Sequence, residues 1–277
     1  MLAMTTAGAL HAFFAASPAT ALVEVTEAKG STPREKGTWM LVSPTAIYGT
    51  IGGGQLEFMS IDRARALLKD AAPSHPVTLD IPLGPEIGQC CGGRVAVGIR
   101  PVDKALRDEL TAIAEAEDAR RPHVYMFGGG HVGHALAAAF SLLPVETTVV
   151  ETRAEALEGM PEEVATRLTP VPEEMVRDAP AGAAFVVLTH DHALDFLIVA
   201  EALKRDDAAY VGMIGSRTKK ATFRSWYLKT AGGGEETFAR LVSPIGGDAV
   251  KDKRPAVIAA LAAAEIMAAL SRSGRIA

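Results

Sequence analysis

The stretch that decides the fold is His123-Val124-Tyr125-Met126-Phe127-Gly128-Gly129-Gly130-His131-Val132-Gly133. Five mostly apolar residues, too few for a helix, run into three glycines, and an Ala-rich helical pattern follows through about Leu142. A short apolar strand, a glycine turn and a helix form the first half of a βαβ unit. The turn satisfies G-x-G-x-x-G, a weak signal alone but a stronger one between a strand and a helix. Without Cβ atoms, Gly128 and Gly130 would turn tightly and let backbone N–H groups approach a pyrophosphate at the helix N-terminus, with Gly133 packing helix on strand. Close helix–strand packing alone would also account for the glycines.

Reading onward, 147–151 (Thr-Thr-Val-Val-Glu), 184–189 and 210–214 are further short apolar runs separated by helical patterns. That rhythm predicts a Rossmann-like, doubly wound parallel sheet over 122–277. Glu151 falls about 20 residues beyond the glycines, where an acid meets a ribose 2′-hydroxyl. His131 lies in the turn and His134 just after it. His190 and Asp191, in Thr189-His190-Asp191-His192, sit at the C-terminal end of a strand, on the rim where such sheets hold ligands. They are candidates for lining a crevice; a polar loop tip explains the histidines as well as a metal does, and no metal ligands are assigned.

Reading backward, 104–121 is a charged, Ala-rich segment ending before Pro122, expected as a connecting helix. The segment 1–103 reads as mixed α+β, with strands at 21–26, 39–42 and 95–99 and a helix at 55–68. The whole is α/β: an N-terminal α+β domain, then the Rossmann-like one. Three clusters mark the first domain. Gly30-Ser31-Thr32-Pro33-Arg34 offers hydroxyls and a guanidinium. Gly49-Thr50-Ile51-Gly52-Gly53-Gly54-Gln55-Leu56-Glu57 sets three glycines before a helix, whose amides and dipole would face an anion. Gly88-Gln89-Cys90-Cys91-Gly92-Gly93-Arg94 carries the only two cysteines. Plain tight turns explain any one cluster; three together, two with an arginine, point to a phosphate-bearing ligand. Arg94 would lower a neighbouring thiol's pKa, and thiolates favour soft metal–sulfur centres. Adjacent cysteines do not make a stabilising disulfide, so a reducing compartment is expected.

The net charge of −5 argues against a nucleic-acid binder. The basic groups Lys219, Lys220, Arg224 and Lys251, Lys253, Arg254 read as solvated helix faces. The Ala-rich segment 1–21 contains Phe13-Phe14 but lacks a positive leader and includes His11, which predicts an amphipathic helix. The apolar stretch 255–270 is broken by Glu265 and reads as shorter than a membrane span. A soluble protein is expected.

These residues, in this order, resemble the XdhC/CoxI family, whose members are xanthine dehydrogenase accessory proteins. The three N-terminal clusters carry the resemblance, with Phe127 to Gly133, Glu151-Thr152-Arg153, Thr189-His190-Asp191 and Ile214-Gly215-Ser216-Arg217 in the second half. The resemblance runs from about Leu22 to Glu265. It implies a non-enzymatic, cytoplasmic chaperone that binds molybdenum cofactor as cargo, protects it during sulfuration and passes it to apo xanthine dehydrogenase. Partners implied are that enzyme and a NifS-like cysteine desulfurase. By position, Cys90 or Cys91 would meet the metal–sulfur end, Gly52, Gly53 and Gly54 the phosphate, and Gln55 or Gln89 the pterin edge; Ser31 and Arg34 belong to the same group. The chain departs from the family pattern at Glu151, where Asp is usual, and over Gly247 to Arg254. Whether the Rossmann half carries a nucleotide is open. An exposed sheet edge would support a homodimer. The rival reading is an NAD(P)-dependent oxidoreductase built on Gly128, Gly130, Gly133 and Glu151; a third makes the Rossmann half a docking scaffold.

Overall fold

A computed structural model describes residues 7–69, 76–84 and 92–276. The chain divides into two compact units, Met1–Ala119 and Arg120–Ala277.

The first unit holds an antiparallel sheet in the order β3-β2-β1-β5-β4, formed by β1 (Ala21–Lys29), β2 (Trp39–Val42), β3 (Ile47–Gly49), β4 (Val77–Pro82) and β5 (Arg94–Pro101). Successive side chains on a strand face opposite ways, and here both faces are apolar. Ala21, Val23, Val25, Met40 and Val42 pack with Leu56, Ala64 and Leu67 of α2 (Gly54–Lys69). The alternate residues Leu22 and Leu41 pack with α1 (Ala7–Ala16) and α3 (Lys104–Asp118), through Leu10, Phe14, Leu106 and Leu110. The expected N-terminal helix is therefore α1. The helix expected as a connector, α3, is a covering layer of this unit, its start capped by Asp103, which accepts from the Leu106 amide at 2.8 Å.

The second unit is a six-stranded parallel sheet in the order β11-β10-β9-β6-β7-β8. Its strands are β6 (His123–Phe127), β7 (Glu146–Glu151), β8 (Ala165–Leu168), β9 (Ala184–Val187), β10 (Tyr210–Met213) and β11 (Leu241–Val242). One face (Val124, Met126, Val149, Val186) packs on α4 (His131–Phe140) and α9 (Pro255–Arg272). The other (Phe127, Val150, Phe185, Val211) packs on α5 (Glu173–Asp178), α6 (His192–Leu203) and α7 (Arg217–Lys229); α8 (Glu235–Phe238) follows. This is the doubly wound arrangement, with helices on both faces of a parallel sheet.

Two sequence expectations need correction. α9 has 18 residues and is long and apolar enough to cross a membrane. Length does not exclude a span here; one face of the helix packs on the core. Ala259, Ala262, Ile266 and Leu270 are buried against α4 and the sheet, and Glu265 accepts a 2.5 Å hydrogen bond from the Tyr210 hydroxyl. Burial and the neighbouring Glu265 push the Tyr210 phenol well up. The basic run at the start of α7 is not a solvated face throughout. Lys219 is buried in an ion pair, Lys220 donates to the Leu241 carbonyl at 3.3 Å, and Arg224 pairs with Glu235.

Candidate functional site

The β6–α4 glycine turn forms one wall of a cavity of about 270 Å³ at the C-terminal ends of β6, β7, β9 and β10. It lies beside the break in strand order, where β6 has β7 on one side and β9 on the other. Open α/β sheets hold ligands at this switch point. Gly128 is dictated by the chain itself: its φ is +121°, and a Cβ would stand 2.4 Å from the Leu188 carbonyl oxygen. Gly133 is required by packing, since its Cβ would fall 2.2 Å from the Gly128 oxygen. Gly130 differs. It is the N-cap of α4, has an ordinary φ of −74°, and a Cβ there would meet nothing within 4 Å. The tight turn expected of both glycines therefore belongs to Gly128 alone, and Gly130 keeps space clear at the start of the helix.

Glu151 ends β7 with its side chain only 3% exposed. Its carboxylate accepts from the amides of Gly129 (3.0 Å), Thr152 (2.8 Å) and Arg153 (3.2 Å), and from the Arg153 guanidinium (3.3 Å). Burial works to raise its pKa, but the donors from Gly129, Arg153 and Thr152 outweigh it and hold the carboxyl at about 2. Glu151 thus locks the glycine turn to the end of β7. A ribose hydroxyl, the partner expected for it, would meet a carboxylate already well supplied with donors. Arg153 lines the same cavity with its side chain 40% exposed.

His131 and His190 also line the cavity and are exposed. Asp191 does not: it caps α6, accepting from Ala193 at 2.7 Å, because a carboxylate at a helix start satisfies amides that have no helical acceptor. His134 faces the Ala156 carbonyl at 3.2 Å. Among the described residues no cluster of His, Cys, Asp and Glu could hold a metal ion.

In the first unit, β1, β3 and β4 end and β2 and β5 begin at the same end of the sheet. That register brings the 30–34 and 49–57 clusters together with Gly93. A Cβ on Gly93 would fall 2.2 Å from the Ser31 carbonyl oxygen, and one on Gly52 would fall 2.8 Å from Pro33. The 30–34 turn therefore sits against both the 49–57 turn and Gly93. Beside it lies a cavity of about 280 Å³ lined by Arg34, Trp39, Tyr48, Thr50 and Glu117, among others. The rings of Trp39 and Tyr48 are stacked at 6.0 Å. Arg34 is exposed and makes no ion pair among the described residues.

One expectation changes here. The glycine amides before α2 are not all open to an external anion: the Glu57 carboxylate accepts from the Thr50 hydroxyl at 2.5 Å and from the Ile51 and Gly53 amides at 3.1 Å each. A carboxylate from the same chain fills the cradle. Arg94, expected beside a thiol, has a carboxylate partner on β4. Its guanidinium makes a two-pronged pair with Asp80 on β4, at 2.6 and 2.5 Å, and Arg94 holds the Asp80 carboxyl below its ordinary range. Gln55 is exposed in the first turn of α2 and Gly54 begins that helix. Gln89, Cys90 and Cys91 lie outside the described residues.

The two halves of this arrangement correspond to two family matches. Residues 124–266 match the XdhC Rossmann domain, and residues 14–81 match the XdhC and CoxI family. The chain belongs to the XdhC and CoxI family. Among its relatives, the uncharacterized protein YqeB of Escherichia coli strain K12 is 28% identical over 258 residues, 89% of this chain. The chain spans 43% of that relative's length. A solved structure described as a xanthine dehydrogenase from Bacillus halodurans has a TM-score of 0.80 with this XdhC-family chain, at 17% identity. The match covers 97% of this chain and 96% of the other, and shows a shared fold.

In this XdhC-family chain the sequence reading missed one buried pair beside the Rossmann crevice. Asp195 is fully buried on α6 and Lys219, on α7, has a side chain 8% exposed; the two form a direct ion pair. The other Asp195 oxygen accepts from the Thr189 hydroxyl (2.7 Å) and amide (3.0 Å), and Lys219 also donates to the Ile214 carbonyl at 3.0 Å. The pair ties the turns after β9 and β10 together. The acid inside the apolar run Leu194-Asp195-Phe196-Leu197 was the available signal.

Proposed function

We propose that this protein acts in the maturation of xanthine dehydrogenase by binding molybdenum cofactor as cargo and handing it to the apoenzyme. The observation that carries this reading is the convergence of 30–34, 49–57 and Gly93 on one end of the antiparallel sheet, in a chain whose family is named for xanthine dehydrogenase accessory proteins. The chemistry of that end suits the cargo. The Arg34 guanidinium, free of an ion pair among the described residues, would take the phosphate by a charge-assisted contact. The Trp39–Tyr48 wall offers a flat apolar face to the pterin. Cys90 or Cys91, one or two residues before Gly92 in the sequence, would meet the metal–sulfur end as a thiolate. The phosphate would sit on Arg34 rather than on the Gly52–Gly54 amides, because Glu57 already accepts from the Ile51 and Gly53 amides there.

A carrier needs affinity, protection and release, and the protein carries out no turnover of its own in this account. A cysteine desulfurase would install the terminal sulfur while the cargo is held, in a reducing, cytoplasmic setting. The experiment is anaerobic gel filtration of the full chain with molybdenum cofactor, beside the Arg34→Ala, Cys90→Ala and Cys91→Ala variants. The expected result is co-elution of cofactor with the parent chain, weakened by Arg34→Ala and lost in at least one cysteine variant. Equal retention by all four proteins would overturn the assignment, and no retention by the parent would overturn the carrier role.

A further inference from the structure

The Rossmann crevice presents a cation where a site for plain ribose presents an acid. In such sites a carboxylate at the end of the second strand accepts from the 2′-hydroxyl and repels a phosphate there, whereas a nearby arginine accommodates a 2′-phosphate. Here Glu151 is turned inward and supplied by the Gly129, Thr152 and Arg153 donors. Arg153 offsets its charge and lines the cavity with a partly exposed guanidinium. Gly130, whose absent Cβ neither backbone nor packing demands, leaves room over the start of α4. Across Ile214, which lines both, lies a second cavity of about 470 Å³ with Pro244, Ile245, Ile258 and Leu261 in its wall.

We propose that this crevice binds a 2′-phosphorylated dinucleotide of the NADP class, the extra phosphate on Arg153, the pyrophosphate at the start of α4, and the far ring beyond Ile214 in the apolar cavity. The residues fit that ligand on two counts independent of the cargo site: Arg153 lines the cavity beside Glu151, and the larger cavity, although Asp248, Lys251, Asp252 and Lys253 also line it, offers Ile214, Pro244, Ile245, Ile258 and Leu261 to a flat ring.

The test is calorimetric titration of the full chain, free of molybdenum cofactor, with 2′,5′-ADP and ADP, then NADPH and NADH. The 2′-phosphorylated member of each pair is expected to bind at least tenfold tighter, and NADPH tighter than 2′,5′-ADP. Arg153→Leu should abolish the preference, read as the ratio of affinities within each pair, and Arg153→Lys should restore part of it. Gly130→Ala should weaken every ligand without unfolding the chain. Equal or tighter binding of ADP and NADH, or no binding of any of the four at millimolar concentration, overturns the proposal; the parent chain alone decides this if Arg153→Leu fails to fold. The measurement is blind to cargo retention, so either reading can fall without the other.

Discussion

Glu151→Gln replaces a buried carboxylate by a neutral group of the same shape, and its cost follows from the environment of the acid. Folded, Glu151 sits at about 2; its ordinary value is 4.5. A group whose pKa is lowered on folding stabilises the folded chain fully above the unfolded value and loses that contribution as pH falls through the folded one. The gap between 4.5 and about 2 corresponds to about 3 kcal/mol at neutral pH. With only 3% of the side chain exposed, solvent does little to screen it. The variant should therefore be about 3 kcal/mol less stable than the parent at pH 7. The difference should shrink to roughly half by pH 3, where unfolded Glu151 is already protonated. Urea titrations followed by fluorescence suit the question, because the chain has two tryptophans, one in each unit. Trp226 packs against Phe196 and Phe223 in the second unit and reports its unfolding once Trp39 is replaced by Phe in both proteins. Parallel stability profiles for parent and variant from pH 7 to pH 3 would refute the assignment of Glu151 as the lock on the glycine turn.

Lys219→Met leaves Asp195 buried without its cation and should cost about 3–5 kcal/mol, with Asp195→Leu added to Lys219→Met recovering part of the loss; additive losses in a double-mutant cycle would refute the coupling. Gly128→Ala forces a Cβ into the Leu188 carbonyl at positive φ and should unfold the second unit or lower its melting temperature steeply, whereas Gly130→Ala should cost at most about 1 kcal/mol; thermal melts of the two variants make the comparison. Glu57→Gln should cost about 1–3 kcal/mol and speed hydrogen exchange at the Ile51 and Gly53 amides, and unchanged exchange there would mean that the carboxylate does not hold the turn.

The parts of the fold visible in the sequence are those whose burial writes a hydrophobic pattern. β6, β7, β9 and β10 are buried on both faces and read as short apolar runs, and β2 was bounded correctly at 39–42. The strands that went unread are β3, β4, β8 and β11. β8 is exposed at every residue and β3 and β11 have three and two residues, so these leave no period; β4 does alternate, with Val77, Leu79 and Ile81 on the core side of Thr78 and Asp80, and its signal is short and ends in a proline. The same division runs through the site. Gly128 was legible because a positive φ against a neighbouring carbonyl needs glycine, and local chemistry states that need. Asp195 and Lys219 were not, since they are 24 residues apart and meet only when β9 and β10 pair. In the 49–57 cluster the Ile51 and Gly53 amides donate to a carboxylate while Gly52 donates to the Thr50 hydroxyl, and the acceptor, Glu57, reads in the sequence as the end of a motif rather than as the anion filling it.

The most direct test of the carrier account is reconstitution. Apo xanthine dehydrogenase is mixed anaerobically with limiting sulfurated molybdenum cofactor, with and without the full chain, and its activity is followed over time together with the cofactor transferred. The account predicts that the chain preloaded with cofactor activates the enzyme faster and to a higher plateau than free cofactor, and that Arg34→Ala reduces the gain. Equal activation by free cofactor and by the preloaded chain would contradict it.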